Sequence, residues 1–287
     1  MTVKHFSVEY NKVNDRGTFS PGDILSGRVT VVTSGETKVQ CFLVKAKGKA
    51  KVTWYEQEGQ ATGVHSDKKK YFYFEHIILQ DKNKGDGSYC FSLNPGRNVY
   101  PFTFAIPNVD MPSSYEGKWG KITYSLRAQL TQSIWLVHKT KTEFPFLTKS
   151  EFPFASKSDM IIIGLKAMGV SVEVLNESTR TVTPKFYLCE KQTFAAQSKR
   201  IVHTNDILFG TGDSVPAKTS RTITKVLSIP PQLPPTFFNC CMMKLEYRVK
   251  VFILDPEIRL PVVVLLGSPK PHQQKPKRSI WFRKLPA

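Results

Sequence analysis

The sequence holds no apolar run long enough to cross a bilayer. The longest, Leu260 to Leu266, is broken by Pro261 and falls far short of the roughly 20 residues that a spanning helix needs. The first residues, MTVKHFSVEYN, lack an apolar h-region, so neither a signal peptide nor a transit peptide is expected. Cysteine is scarce: five residues, an odd number, with no C-x-x-C and no histidine at ligand spacing. That speaks against a disulfide frame and a zinc site and fits reduced, cytosolic thiols. The six histidines are scattered, and none lies with Ser, Cys or a carboxylate in a nucleophile pattern. We therefore expect no enzyme and no cofactor. Gly210-Thr211-Gly212 has no helix after it and reads as a turn rather than a phosphate loop. Acids are also few, 23 against 41 Lys and Arg, giving a formal net charge of +18 and a pI near 9.7. Such a balance favours acidic partners: nucleic acid, anionic lipid headgroups or phosphorylated peptides. No RNA or DNA module signature is present, so nucleic acid is not expected.

Helical periodicity is equally scarce, and Leu227 to Met243 fails on its prolines. What the chain has instead is many short alternating segments separated by Gly and Pro turns, the pattern of an all-β sandwich. Phe19-Ser20-Pro21-Gly22-Asp23 makes one such turn, and Ile24 to Thr33 follows as a strand. Between Val39 and Lys51 apolar and small residues alternate with Lys45, Lys47, Lys49 and Lys51, which places the four lysines on one face of a strand. Gln57 to Lys70 is polar and basic and is expected to be a mobile hairpin loop; Ser133 to Lys141 is expected to continue as strand.

One stretch is said twice. Shifted forward by 123 positions, Phe104 to Leu130 falls on Leu227 to Ile253, with Ile106 on Ile229, Pro107 on Pro230, Pro112 on Pro235 and Tyr124 on Tyr247. Both copies read strand, proline loop, strand. Val29 to Val39 echoes Val172 to Val182 at a shift of 143. Repeats of this size are domains rather than solenoid units. The expected organisation is a first domain at 1–141, a linker at 142–158 containing EFPF twice, a second domain at 159–268 and a basic disordered tail at 269–287.

Four motifs in this order, FSPGDILSGRVTV, IPNVDMPSSYEGKWGKITYSLRAQL, SIPPQLPPTFFNCCMMKLEYRVKV and RLPVVVLLGS, resemble those of the α-arrestins, the arrestin-domain-containing proteins. The match spans nearly all of residues 5 to 268. The resemblance implies two tandem arrestin-type, immunoglobulin-like β-sandwiches. It also implies a cytosolic adaptor that binds cytoplasmic segments of membrane proteins in endocytic trafficking and ubiquitin-linked sorting, at the plasma membrane or endosomes. Alternatives are an arrestin-fold subunit of a retromer-like coat complex, or, from charge alone, a nucleic-acid-binding protein. The chain departs from the pattern twice. Met160 to Gly164 run almost directly into Val170, so the hairpin that opens the second domain in the family is missing or cut to one strand. The PPxY motifs that dock WW-domain ubiquitin ligases in longer members are absent from these residues.

The candidate contacts for cargo or phosphate are Lys45, Lys47, Lys49 and Lys51, a flat row of cations, together with Lys68, Lys69 and Lys70. Lysines on a strand also guard an exposed sheet edge, and a loop run is commonly just solvated. Lys275, Lys277, Arg278, Trp281, Phe282, Arg283 and Lys284 are candidates for contact with anionic lipid.

Overall fold

A computed structural model describes residues 2–59, 61–80, 91–148, 161–163, 167–230, 233–253 and 258–264. Among the described residues there is no α-helix, and the chain divides into two compact units, residues 195–199 grouping with the first.

The first unit contains β1 (Val3–Tyr10), β2 (Ile24–Thr33), β3 (Thr37–Val39), β4 (Cys41–Glu58), β5 (Ala61–Gln80), β6 (Phe91–Leu93), β7 (Gly96–Ala105), β8 (Tyr115–Glu116), β9 (Gly120–Thr131) and β10 (Val137–Glu143). β2 lies between β1 and β7 in one antiparallel sheet, and the second sheet runs β10-β9-β4-β5. The alternation in β4 shows why the sheets close on each other. Phe42, Val44, Ala46, Ala50, Val52 and Trp54 are buried, whereas the odd positions from 45 to 51 carry the lysines. Rings join the layers: Phe42 meets Tyr100 of β7 edge-on at 5.1 Å, and Phe74 stacks on Phe104 at 6.2 Å. Gly48 interrupts the inward series for a steric reason. A Cβ there would lie 2.7 Å from the Tyr124 ring and 2.9 Å from that of Phe72.

The second unit contains β11 (Ile161–Ile163), β12 (Ala167–Asn176), β13 (Lys185–Ala196), β14 (Lys199–Thr211), β15 (Thr219–Ser228), β16 (Met243–Phe252) and β17 (Ile258–Val264). Its larger sheet runs β11-β17-β16-β13-β14, and β12 pairs β15. Phe186, Leu188, Leu245, Tyr247, Val249 and Val251 from the larger sheet and Val170, Val172, Val174 and Ile223 from the smaller one form the core. The sequence echoes are structural ones: the 143-residue shift carries β2 onto β12, and the 123-residue shift carries β7 onto β15. The proline loops carry the same bond in both units. Tyr124 Oη donates to the Pro112 carbonyl at 2.6 Å and Tyr247 Oη to the Pro234 carbonyl at 2.9 Å. Among the described residues the β12–β15 sheet has two strands where its counterpart has three, and β11 joins the other sheet, parallel to β17.

Three sequence expectations change. The proposed linker begins too early, because Phe144 and Phe146 are buried in the first sandwich, and Phe146 stacks on Tyr124 at 4.2 Å and bridges Phe19. The Pro145 between them enforces an extended chain, which sends both rings inward. The hairpin at Gln57 to Lys70 is not a mobile loop but paired strand nearly to its tip: β4 and β5 run together up to a turn that contains Gly59 at φ +65°. Ser133 to Leu136 is not strand but the turn that closes the β9–β10 hairpin.

Candidate functional site

The four β4 lysines do not guard an edge. β4 is flanked by β9 on one side and β5 on the other, so its backbone donors and acceptors are already paired. Register then fixes the neighbours of each lysine, since residues directly opposite share a face. Lys45 faces Arg127 and Glu75; Lys47 faces Ser125 and Tyr73; Lys49 faces Thr123 and Lys70; Lys51 faces Lys121 and Lys68. The outcome is a cationic sheet face drawn from three strands. Lys121 and Arg127 belong to it and were invisible to a reading that took one strand at a time, because only register places them there.

The lysine triplet is divided. A bulge between Gly48 and Lys49 pushes Tyr71 out of step, so Lys68 and Lys70 join the face while Lys69 lies opposite Ala50 and belongs to the other one. Lys69 sits over the Tyr71 ring at 5.5 Å. The tail candidates Lys275, Lys277, Arg278, Trp281, Phe282, Arg283 and Lys284 lie outside the described residues.

Electrostatics separate the row into two parts. Lys45 pairs with Glu75 at 3.1 Å, and Tyr73 Oη donates to the same carboxylate at 2.5 Å. The contacts with Tyr73 and then Glu75 hold the Lys45 amine above its ordinary range, and Glu75 is held below its own. Lys121 is likewise occupied, by Glu116 at 3.2 Å and Glu143 at 3.4 Å. The side-chain cations of Lys47, Lys49, Lys51, Lys68 and Arg127 form no ion pair with a carboxylate among the described residues. The consequence shows at Lys47. Its amine is pushed below the ordinary lysine range, first by burial and then by the charges of Lys49, Lys70, Lys68 and Arg127. This is a patch of mutually repelling cations, and an anion laid across it would relieve the repulsion.

The strand that corresponds to β4 in the second unit carries no row of four lysines. β13 pairs β16 as β4 pairs β9, and its outward positions run Lys185, Tyr187, Cys189 and Lys191, with Lys191 paired to Glu246 at 3.2 Å; β16 sets Arg248 and Lys250 opposite them, and Lys250 is paired to Asp206 at 3.1 Å. Among the described residues no group of His, Cys, Asp and Glu could hold a metal ion. No described helix is long and apolar enough to cross a membrane.

Two like-built β-sandwiches, each with a tyrosine tied to a proline loop, and one with a basic sheet face, define a tandem arrestin-type protein. The comparisons agree. The family model described as arrestin (or S-antigen), N-terminal domain, matches residues 6–150, and that for the C-terminal domain matches residues 165–271. The chain is similar to human Arrestin domain-containing protein 4, 23% identical over 290 residues, covering 87% of this chain and 68% of that protein. It is also similar to human Thioredoxin-interacting protein, 22% identical over 306 residues, covering 93% of this chain and 75% of that protein. The chain belongs to the arrestin family, on its α-arrestin branch.

Proposed function

We propose that this chain is a non-enzymatic adaptor that holds an acidic or phosphorylated cytoplasmic segment of a membrane protein against the cationic face of β4, β5 and β9. Membership of the arrestin family supports the adaptor role in general. The observation that carries the specific reading is the set of Lys47, Lys49, Lys51, Lys68 and Arg127, brought to one face without carboxylate partners among the described residues. Alternate strand residues are about 6.7 Å apart, the same repeat at which an extended peptide presents side chains on one side. Lys45 to Lys51 therefore span about 20 Å, enough for three or four alternate ligand residues. Phosphates would receive charge-assisted hydrogen bonds from several amines at once.

On this reading the protein works in the cytoplasm, at the surface of the plasma membrane or endosomes, in endocytic sorting. These 287 residues contain Pro230-Pro231 and Pro234-Pro235, but neither pair forms a PPxY. They would bind cargo without drawing in a WW-domain ubiquitin ligase efficiently. A pulldown with WW-domain fragments beside a PPxY-bearing relative checks that point; equal, proline-dependent capture refutes it.

The test of the main reading is fluorescence anisotropy of a phosphorylated peptide with the full chain. Replacing Lys45, Lys47, Lys49 and Lys51 by Glu should abolish binding, and raising salt should weaken it, because screening acts beyond about 8 Å at physiological ionic strength. Unchanged affinity in that variant overturns the assignment. An RNA oligomer that binds as tightly as the phosphopeptide at matched salt would favour the nucleic-acid alternative. Native purification with a stable stoichiometric partner would favour a coat subunit.

A further inference from the structure

The β9–β10 turn presents Ile134 at 83% and Trp135 at 93% exposure, the two most exposed large apolar side chains among the described residues. Scattered apolar residues on a surface are ordinary, but these two are adjacent, at the tip of a hairpin, and held there. The Gln132 amide donates to the Leu136 carbonyl at 2.9 Å, and the Leu136 amide donates to the Ser133 carbonyl and to Ser133 Oγ, both at 3.2 Å. The backbone of the tip is thus already ordered before anything binds, which lowers the entropic cost of using it.

Along the chain on either side of the tip the charged residues have one sign. From Gly117 to Thr142 there is no Asp or Glu, while Lys118, Lys121, Arg127, Lys139 and Lys141 fall within that span. Lys139 stands opposite Gln129 on the same hairpin, about 13 Å along the strand from Trp135. Gln132 Nε2 also donates to Thr2 Oγ1 at 3.4 Å, which brings the start of β1 and its exposed Lys4 to this end of the sandwich.

We propose that this tip is a membrane-contact element: Ile134 and Trp135 enter the headgroup region of an anionic bilayer while Lys139 and Lys4 face its surface charge. Trp suits that depth, since its ring is apolar and its N–H can still find a polar partner. A protein partner fits the feature less well. A stable interface buries about 800 Å² on each side, and a two-residue projection on a narrow hairpin offers far less, whereas a bilayer accepts a point insertion. The inference deepens the membrane-surface part of the function proposed above and needs nothing from the lysine face of β4.

The experiment is flotation of the full chain with phosphatidylcholine vesicles containing about 30% phosphatidylserine, read together with tryptophan quenching by shallow brominated lipids. Ile134→Ser with Trp135→Ser should weaken partition about tenfold or more, the loss expected for withdrawing two large apolar side chains. That variant should keep wild-type affinity for the phosphopeptide, which separates this inference from the cargo reading and shows the fold to be intact. Trp135→Phe should keep most of the partition and lose the quenching. To exclude the tail, the same comparison is made in a Trp281→Phe background. Quenching that persists in Trp135→Phe, partition unchanged in the double Ser variant, or no partition of the wild-type chain would each overturn the proposal. The last outcome would leave the tip to a protein partner. Equal binding to vesicles without phosphatidylserine would overturn its electrostatic part.

Discussion

Lys47→Gln should make the protein more stable and a poorer binder at the same time. The Lys47 amine sits below its ordinary value of 10.5, because burial and the charges of Lys49, Lys70, Lys68 and Arg127 disfavour its protonated form. Its folded pKa therefore lies below its unfolded one. At neutral pH both states carry the proton, so the full penalty is present. It is lifted as pH rises through the lowered folded value, where the unfolded chain binds more protons than the folded one. Glutamine removes the penalty at neutral pH. For a group this close to solvent the gain is about 0.5 kcal/mol, and it shrinks as salt is added. In a domain of this size that is roughly a 1–3 °C rise in melting temperature. Affinity for a phosphorylated peptide should meanwhile fall about threefold to tenfold, or about 0.7–1.4 kcal/mol, since one cation leaves the centre of the face. Calorimetry and peptide anisotropy on the same preparation read both quantities. A Lys47→Gln chain that melts lower, or binds the peptide as tightly as wild type, refutes the account of the face as repelling cations awaiting an anion.

Tyr124→Phe removes the buried hydrogen bond to the Pro112 carbonyl and should cost about 1–3 kcal/mol, seen as a lowered first-domain transition in calorimetry. Tyr247→Phe should cost less, because its bond to Pro234 is longer and only partly buried; a larger loss there would contradict the comparison. Gly48→Ala drives a methyl into the Tyr124 and Phe72 rings and should destabilise by about 1–3 kcal/mol, whereas a neutral result would mean the rings can retreat. Burial, with help from the Asp206 carboxylate, pushes the Cys189 thiol up to about 11, so at pH 8 only about one molecule in a thousand carries the thiolate. Mass spectrometry during alkylation should find the exposed Cys241 labelled well before Cys189, and the reverse order would refute the assigned environment.

Much of the fold was legible because period two is written plainly where one side of a strand is apolar. V-K-A-K-G-K-A-K gave the inward and outward sides of β4 correctly, and the doubled Ile-Pro and Tyr positions located β7 with β9 and β15 with β16. The β5 segment failed that test. From Ala61 to Lys70 its one large apolar residue, Val64, is exposed, and its inward contribution includes His65, which packs on Trp54 at 5.3 Å. No apolar alternation marks such a strand, and only its pairing with β4 reveals it. Phe144 and Phe146 were missed for the opposite reason. Their prolines suggested a spacer, while the two rings, one residue apart on either side of Pro145, were core. The cationic face was half legible: the β4 row is local, but the placing of Lys68, Lys70, Lys121 and Arg127 beside it depends on register and on one bulge, which are long-range facts. The Ile134–Trp135 tip gave no signal, since a turn of the form S-I-W-L reads as strand until its hydrogen bonds are seen.

Because β4 is clamped between β9 and β5, the distances between its lysines cannot adapt to a ligand as those on a loop would. Spacing becomes a filter. An extended peptide with phosphates on alternate residues sets each one above a lysine, while the same number of phosphates on successive residues points half of them away from the sheet. The row would thus distinguish ligands of identical charge by the parity of their modified positions, reading a pattern where a flexible basic loop would read only a total.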